Sequence, residues 1–301
     1  MSRKRTVLLQ LDTDSRPSSF DAVVAVDSGA EALLSHGGVT PDNVQGLVYG
    51  AIFTRGPEDL RSTAIFVGGS DVGLGEQVVA RIREVFFGSL RVSVMLDSGG
   101  ANTTAAAAVI AANRHGRGGQ RSLEGVPALV LGSTGPVGRR VVRLLAREGA
   151  RVRAASRSLE RAVAVADEVT AAVEPASAVE GVATSSQEET RAALDDRELV
   201  IAAGGLGVCL LPSSVRSHAA TLRVAIDLNA VPPEGIEGVK SGDAGKERDG
   251  QVVYGAIGVG GIKMKIHKAA VAGLFESNDR VLDAEEIFDL GVGLERQDGR
   301  G

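Results

Sequence analysis

Short apolar runs alternate along this chain with longer stretches in which apolar residues recur every three or four positions. Residues 7–11, 63–67, 91–96, 128–131, 151–155, 198–203, 222–228 and 252–256 read as strands, with 182–184 as a shorter one. Between them, Val78, Val79, Ile82 and Phe86, then Val137, Val141, Leu144 and Leu145, then Leu159, Ala162, Val163, Ala166, Val169 and Val173 fall at helical spacing. Helix starts are marked by Asp14 or Ser15 ahead of Pro17 and by Thr40-Pro41-Asp42, before a helix running toward Phe53. A third, Asp283-Ala284-Glu285-Glu286, opens a tail helix that ends near Leu294. Alternation on this scale predicts an α/β fold with parallel sheets. Other segments break the pattern. Residues 114–124, RHGRGGQRSLE, are basic and Gly-rich without apolar period, and mark a domain boundary that leaves His115 in a solvated linker. Residues 174–181 and 234–250 read as loops, the second an exposed excursion rich in glycine and charge.

Polar residues collect where strands end, and open α/β sheets bind ligands beyond the carboxyl ends of their strands. The first strand empties into Asp12-Thr13-Asp14, which either meets a ligand or caps the helix that follows. Residues 91–96 lead into Asp97-Ser98-Gly99-Gly100-Ala101-Asn102-Thr103-Thr104 and then into a helix that is apolar nearly all round. Asn102 or Thr103 caps that helix. Capping needs one such residue, and the surplus points to a polar ligand with several donors and acceptors. After 128–131 come Gly132, Gly135 and Gly138 in the form GxxGxxG, followed by a helix. Glycines there let backbone N–H groups approach a phosphate at a helix N-terminus, and a dinucleotide pyrophosphate is the natural guest.

The next strand end discriminates between cofactors. Roughly 20 residues past the glycine turn, a NAD-selective domain presents an acid to the ribose hydroxyls; this chain presents Ser156 and Arg157, with Arg161 one turn on. A guanidinium binds phosphate through a planar donor fork, which favours NADP and leaves NAD possible. Ala203 with Gly204, and Asn229 with Ala230, deliver small residues to the same sheet edge, where close approach of the cofactor gives a joint reason. Residues 257–262, with Gly258, form a further glycine turn before a helix opening with Lys263, a candidate for the active site. His267, four residues on, shares its face and is either a substrate contact or a packing histidine.

Composition narrows the classes. At 301 residues and 44% hydrophobic, the chain suits about two globular domains. Lys and Arg total 33 against 38 for Asp and Glu, a net charge of -5, so no basic excess marks a nucleic-acid partner. No run reaches the roughly 18 apolar residues of a membrane span, and the opening apolar run is too short for a signal peptide, so a cytoplasmic protein is expected. Cys209 is the sole cysteine, which rules out an internal disulfide and a cysteine-based metal cluster; no metal is expected. Its apolar surroundings, GVCLLP, make it a packing residue rather than a nucleophile.

Taken together, LLQLDTDSRPSSFD, GVTPDNV, STAIFVGG, MLDSGGANTTAAAA, STGPVG, DLNAVPP, GAIGVGGIKMKIHKA, LFES and DAEEI resemble the NAD(P)-dependent methylene-tetrahydromethanopterin dehydrogenases of bacterial one-carbon metabolism, essentially end to end. The resemblance implies a fold like that of methylene-tetrahydrofolate dehydrogenases. A substrate domain, residues 1–113, is completed by a returning C-terminal segment, 263–301, and a Rossmann-like NAD(P) domain spans 114–262, with the active site in the cleft between them. It implies a homo-oligomer, a trimer or a multiple of one. It places Asp12, Thr13, Asp14, Phe20, Lys263 and the loop Asp97, Ser98, Asn102, Thr103, Thr104 at the pterin, and Ser133, Thr134, Pro136 and Val137 with the three glycines at the dinucleotide. Two positions depart from the family pattern. Gly99 stands where a second asparagine is expected, and Ser156-Arg157 replaces the glycine-arginine form of strictly NADP-dependent members.

The activity so implied is hydride transfer from methylene-tetrahydromethanopterin to NADP+, giving the methenyl cation in formaldehyde oxidation. Asp14 or Asp97 would stabilise that cation, Phe20 would stack on the pterin, and Lys263 would position substrate or tune local charge. A methylene-tetrahydrofolate dehydrogenase and a non-catalytic NADP-binding sensor are the alternatives. The second polar loop argues against the sensor, which has no use for it.

Overall fold

In the computed structural model, which describes residues 4–116, 122–173 and 179–298, the chain divides into two units. Met1–Thr103 joins Met264–Gly301 in the first, and Thr104–Lys263 makes the second. The strands are β1 (Val7–Asp12), β2 (Ala32–His36), β3 (Thr63–Gly68), β4 (Ser93–Leu96), β5 (Pro127–Leu131), β6 (Arg151–Ser156), β7 (Val179–Ala183), β8 (Leu199–Ala202), β9 (Val224–Asp227), β10 (Ala244–Arg248), β11 (Gln251–Tyr254) and β12 (Val281–Leu282). The α-helices are α1 (Ser19–Asp27), α2 (Val44–Ile52), α3 (Val72–Val85), α4 (Ala101–Asn113), α5 (Pro136–Arg147), α6 (Leu159–Ala172), α7 (Gln187–Leu194), α8 (Ser213–Arg216), α9 (Ala256–Gly273) and α10 (Ala284–Asp298).

The first unit holds a sheet of order β12-β4-β3-β1-β2, parallel throughout. One face of this sheet contributes Leu9, Leu11, Ile65, Val67, Val94 and Leu96 to a core closed by Val44, Val48 and Ile52 of α2 and Val78 and Ile82 of α3. The second unit holds a sheet of order β10-β11-β9-β8-β5-β6-β7, parallel except for the β10/β11 hairpin. Every residue of β3, β5 and β8 is buried, as strands covered on both faces require. This is the α/β architecture that strand–helix alternation predicts, with the Rossmann-like second unit that the family resemblance implies.

Each strand order reverses once, between β1 and β3 in the first unit and between β5 and β8 in the second. Such switch points open a crevice at the carboxyl ends of the strands, where ligands of doubly wound sheets bind. The sequence sets the domain boundary at 113/114 and the return at 262/263; the two units divide inside α4, at 103/104, and inside α9, at 263/264.

Several local expectations are corrected. The first helix is capped by Ser18, whose Oγ accepts from Asp21 N, not by Asp14 or Ser15. The Thr40-Pro41-Asp42 segment is a turn, and α2 starts at Val44. On the face expected of α6, Ala162, Ala166 and Val169 are buried, as is Val173 just past its end, but Leu159 and Val163 are exposed, and Val165 joins the buried set. Strand β7 begins at Val179, three residues earlier than expected; residues 174–178 of the expected loop, and 117–121 of the linker, lie outside the described residues. The 234–250 excursion is partly core, burying Ile236, Val239 and Asp243 and forming β10. His115 is half-buried, with its Nε2 2.9 Å from the Tyr254 hydroxyl. Cys209 is exposed rather than packed.

Candidate active site

At the first switch point, three loops are tied into one rim by side chains. Asp12 is buried at the end of β1 and spends both carboxylate oxygens on its own loop: Oδ1 accepts from Asp14 N at 2.9 Å and Oδ2 from Ser18 N at 2.9 Å. This loop delays the start of α1 past Pro17. Asp14 is exposed and crosses to the β3 loop, accepting from Ser70 N at 3.0 Å and Ser70 Oγ at 2.8 Å. Thr13 N and Oγ1 both lie 3.4 Å from the Gly68 carbonyl. From the β4 side, buried Ser98 donates to the same carbonyl at 3.1 Å, and Gly99 N donates to Gly69 O at 2.6 Å.

The Asp97–Thr104 loop is built the same way, which corrects the step from its number of polar groups to a ligand. Asp97, not Asn102 or Thr103, satisfies the start of α4: Oδ1 accepts from Thr103 N at 3.0 Å and Oδ2 from Thr103 Oγ1 at 2.7 Å. Asn102 donates to Leu96 O at 2.6 Å and to Asp283 Oδ1 at 2.8 Å, linking the loop to the C-terminal segment. Asp97, Ser98, Asn102 and Thr103 are all buried, and Thr104 is half-buried. Gly99 sits at φ 59°, a conformation that asparagine also tolerates, so this position accepts either residue.

His267, on α9, is buried and stacks on Phe66 of β3 with ring centroids 5.7 Å apart and planes at 18°; Phe20 leans against it at 6.4 Å. It is therefore a packing histidine that seats Phe20 rather than a substrate contact. Phe20 itself leaves 54% of its surface open beside the rim.

The second rim is built from backbone. Gly132 follows β5 at φ 75°, and a Cβ there would come within 2.8 Å of the Gly204 backbone beyond β8. A Cβ on Gly138 would lie 2.3 Å from the Gly132 carbonyl oxygen. Ser133 is buried, and its Oγ donates to Ala155 O at 3.0 Å, binding the turn to β6. Thr134 and Val137 are half-buried and Pro136, at the first position of α5, is exposed. Gly135 is the N-cap and no side chain caps α5, so its first N–H groups are left for an anion. The cradle fits a dinucleotide pyrophosphate. At the end of β6, Ser156 is buried and accepts from Ser158 N at 3.3 Å, Ser158 caps α6, and Arg157 and Arg161 are exposed. Among the described residues neither guanidinium has an ion-pair partner, which leaves both available to a phosphate.

Further along this edge, Ala203 and Gly204 are half-buried, whereas Asn229 turns inward, donating to Pro233 O at 3.1 Å and accepting from Val231 N at 3.1 Å. Sequence reasoning missed Asp227, which accepts from Asn229 N and Ile236 N at 3.0 Å each, and whose burial pushes its carboxyl up. It also missed Ser70, which meets Asp14 from the loop of the neighbouring strand β3, 56 residues along the chain, and so has no local signal. Gly258 and Lys263 do not flank a turn: α9 already begins at Ala256, so Lys263 lies two turns inside a helix, half-buried. A Cβ on Gly258 would strike the Asp243 carbonyl at 1.9 Å, which makes that glycine a packing position. Among the described residues no group of three His, Cys, Asp or Glu stands ready for a metal ion.

Residues 19–112 match the model of the methylene-tetrahydromethanopterin dehydrogenase N-terminal domain. The chain is 45% identical over 290 residues to the bifunctional protein MdtA of Methylorubrum extorquens, covering 96% of this chain and 98% of that one. It is 31% identical over 293 residues to the NAD(P)-dependent methylenetetrahydromethanopterin dehydrogenase of the same organism, with the same coverage. Among solved structures it resembles the ligand-free 5-ketofructose reductase of Gluconobacter sp. strain CHM43, at TM-score 0.53 and 14% identity over 97% of this chain and 100% of that one. Shikimate 5-dehydrogenase of Listeria monocytogenes gives TM-score 0.53 and 13% identity over 95% and 96%. These two likenesses concern the fold.

Proposed function

This chain belongs to the methylene-tetrahydromethanopterin dehydrogenase family, and from that premise we propose that it oxidises methylene-tetrahydromethanopterin to the methenyl form with NADP+, and with NAD+ as a second acceptor. The observation that carries this reading is the near-full-length relation to an NAD(P)-dependent enzyme of that name. The glycine cradle on α5, and Arg157 and Arg161, which have no ion-pair partner among the described residues, support a phosphorylated dinucleotide.

When bound, the dinucleotide supplies the hydride acceptor, C4 of its nicotinamide. The first N–H groups of α5, from Val137 and Gly138, hold the pyrophosphate, and Arg157 with Arg161 holds the 2′-phosphate. On the substrate side, the open face of Phe20 stacks on the pterin, with His267 and Phe66 fixing its angle. The methylene bridge lies between two nitrogens that delocalise the developing positive charge, so no side chain has to remove a proton. Asp14, exposed on the rim and oriented by Ser70, puts a negative charge where it lowers the energy of that cation. Lys263 positions the carrier, and Thr13 and Thr104 supply hydroxyls to it. Asp12, Asp97, Ser98, Asn102 and Thr103 act one step back, by holding the loops in place. Positioning is then the main catalytic task, since donor and acceptor carbons must come within roughly 3 to 3.5 Å.

The family resemblance supports a homo-oligomer, a trimer or a multiple of it, working in the cytoplasm; among the described residues no helix is long and apolar enough to cross a membrane. The test is the absorbance of the reduced cofactor with purified protein, methylene-tetrahydromethanopterin, and NADP+ or NAD+ in turn. A parallel arm uses methylene-tetrahydrofolate. Reduction with the methanopterin carrier, faster with NADP+, is expected; a strong preference for the folate carrier would replace the substrate in this account.

A further inference from the structure

Past β8 the chain forms a loop that is pinned at both ends and apolar in the middle. At its start, Gly204 abuts Gly132 of the nucleotide turn, and a Cβ on Gly204 would lie 2.5 Å from Leu210 Cδ1. At its end, Leu210 N and Leu211 N both donate to Gly235 O, at 2.8 and 3.0 Å. Between these anchors Leu206 is 71% exposed and Val208 46% exposed. Val231, in the loop after β9, is 45% exposed, and the two loops approach where a Cβ on Gly207 would lie 3.8 Å from Pro232 O. A single exposed leucine needs no explanation; three branched apolar side chains at one edge of a ligand crevice do.

The strand order says what they meet. With the pyrophosphate on α5, the ribose nearer Arg157 lies toward β6, on one side of β5. The other half of the dinucleotide then extends over β8 and β9, the strands whose following loops carry Leu206, Val208 and Val231. We propose that these three side chains form an apolar cover for the nicotinamide ring, holding its plane and keeping water from the reacting carbon. This rests on the dinucleotide reading of the glycine turn. Because the three side chains are exposed and the loop is anchored by backbone, replacing them leaves the fold intact.

NADPH is the probe, since nicotinamide fluorescence reports its surroundings. Wild type is expected to enhance and blue-shift the emission of bound NADPH. In a Leu206→Ser/Val208→Ser variant the shift and enhancement are expected to disappear and the NADPH Kd to rise about fivefold. Affinity for 2′,5′-ADP, which lacks nicotinamide, should stay within twofold, and Leu206→Met should restore most of the emission. Unchanged NADPH emission and affinity in the double variant would overturn the cover, and so would a change confined to oligomer size by light scattering. Failure of wild type to bind either NADPH or 2′,5′-ADP would instead bring down the dinucleotide site itself, and the cover with it.

Discussion

At the first switch point the loops after β1, β3 and β4 are held by side chains: Asp12 and Asp97 on backbone N–H groups, Asp14 on Ser70, Ser98 on Gly68. At the second, the loops after β5 and β8 are held by contact between glycines, with Ser133 tied to β6. Under the proposed function, the difference follows from what each rim would receive. A pyrophosphate is bound by backbone N–H groups, so side chains must be absent and the turn tight. A pterin with many polar edges is met by a surface that presents groups at fixed positions, and fixing them takes hydrogen bonds behind the surface. One rim is therefore intolerant of added atoms and the other of lost ones.

The comparison predicts its own breaking points. Gly138→Ala places a methyl 2.3 Å from the Gly132 carbonyl oxygen, a backbone atom that cannot swing away. NADPH affinity should fall by about a hundredfold or more, roughly 2.7 kcal/mol, in a fluorescence titration; near-normal binding would show that the turn yields. Asp97→Ala removes atoms from the other rim, strands the buried Thr103 N–H and leaves the Thr103 hydroxyl only the Gly100 carbonyl at 3.4 Å, at a cost of about 1 to 3 kcal/mol. Urea unfolding measures this, and Asp97→Asn should recover part of it. Arg157→Ala should raise the KM for NADP+ about tenfold, roughly 1.4 kcal/mol, while leaving that for NAD+ unchanged; equal effects on both would remove Arg157 from the 2′-phosphate.

The smallest effects come from pH and have opposite signs within the second unit. Burial pushes the Asp227 carboxyl up, so its contribution to stability is complete below about pH 3.9 and is lost as pH rises through its folded pKa. Arg248 holds Asp243 down through a bidentate pair at 2.7 Å. Its contribution is present above the usual carboxylate pKa and is lost as pH falls through the depressed one. In chemical denaturation across pH, Asp227→Asn should remove a loss on the alkaline side of that range and Asp243→Asn a loss on the acid side. The same slope in both variants would refute the assignment.

The glycine rim was legible in the sequence because its requirement is compositional: Gly132 and Gly138 are the residues that fit, and they stand at fixed spacing. The polar rim was legible only as a place. Asp12, Asp97 and Asp227 each follow an apolar strand residue, and each turns inward to accept backbone N–H groups from the segment just after it, the loop for Asp12 and Asp227 and the first turn of α4 for Asp97. Sequence alone offers an aspartate at a strand end and cannot say whether its oxygens face the loop or the ligand. Asp14 and Ser70 meet only because β1 and β3 are neighbours, and neither position encodes that pairing. Lys263 misled for a different reason: the glycines ahead of it suggest a turn, yet packing absorbs them into α9.

The account stands or falls on direct transfer of hydride between two carbons without a protein base. Methylene-tetrahydromethanopterin carrying two deuterium atoms at the methylene bridge, incubated with the enzyme and NADP+, tests this by mass spectrometry of the reduced cofactor. One deuterium in every reduced nicotinamide and none in the water is the predicted result. Unlabelled reduced cofactor with deuterium released to solvent would contradict it.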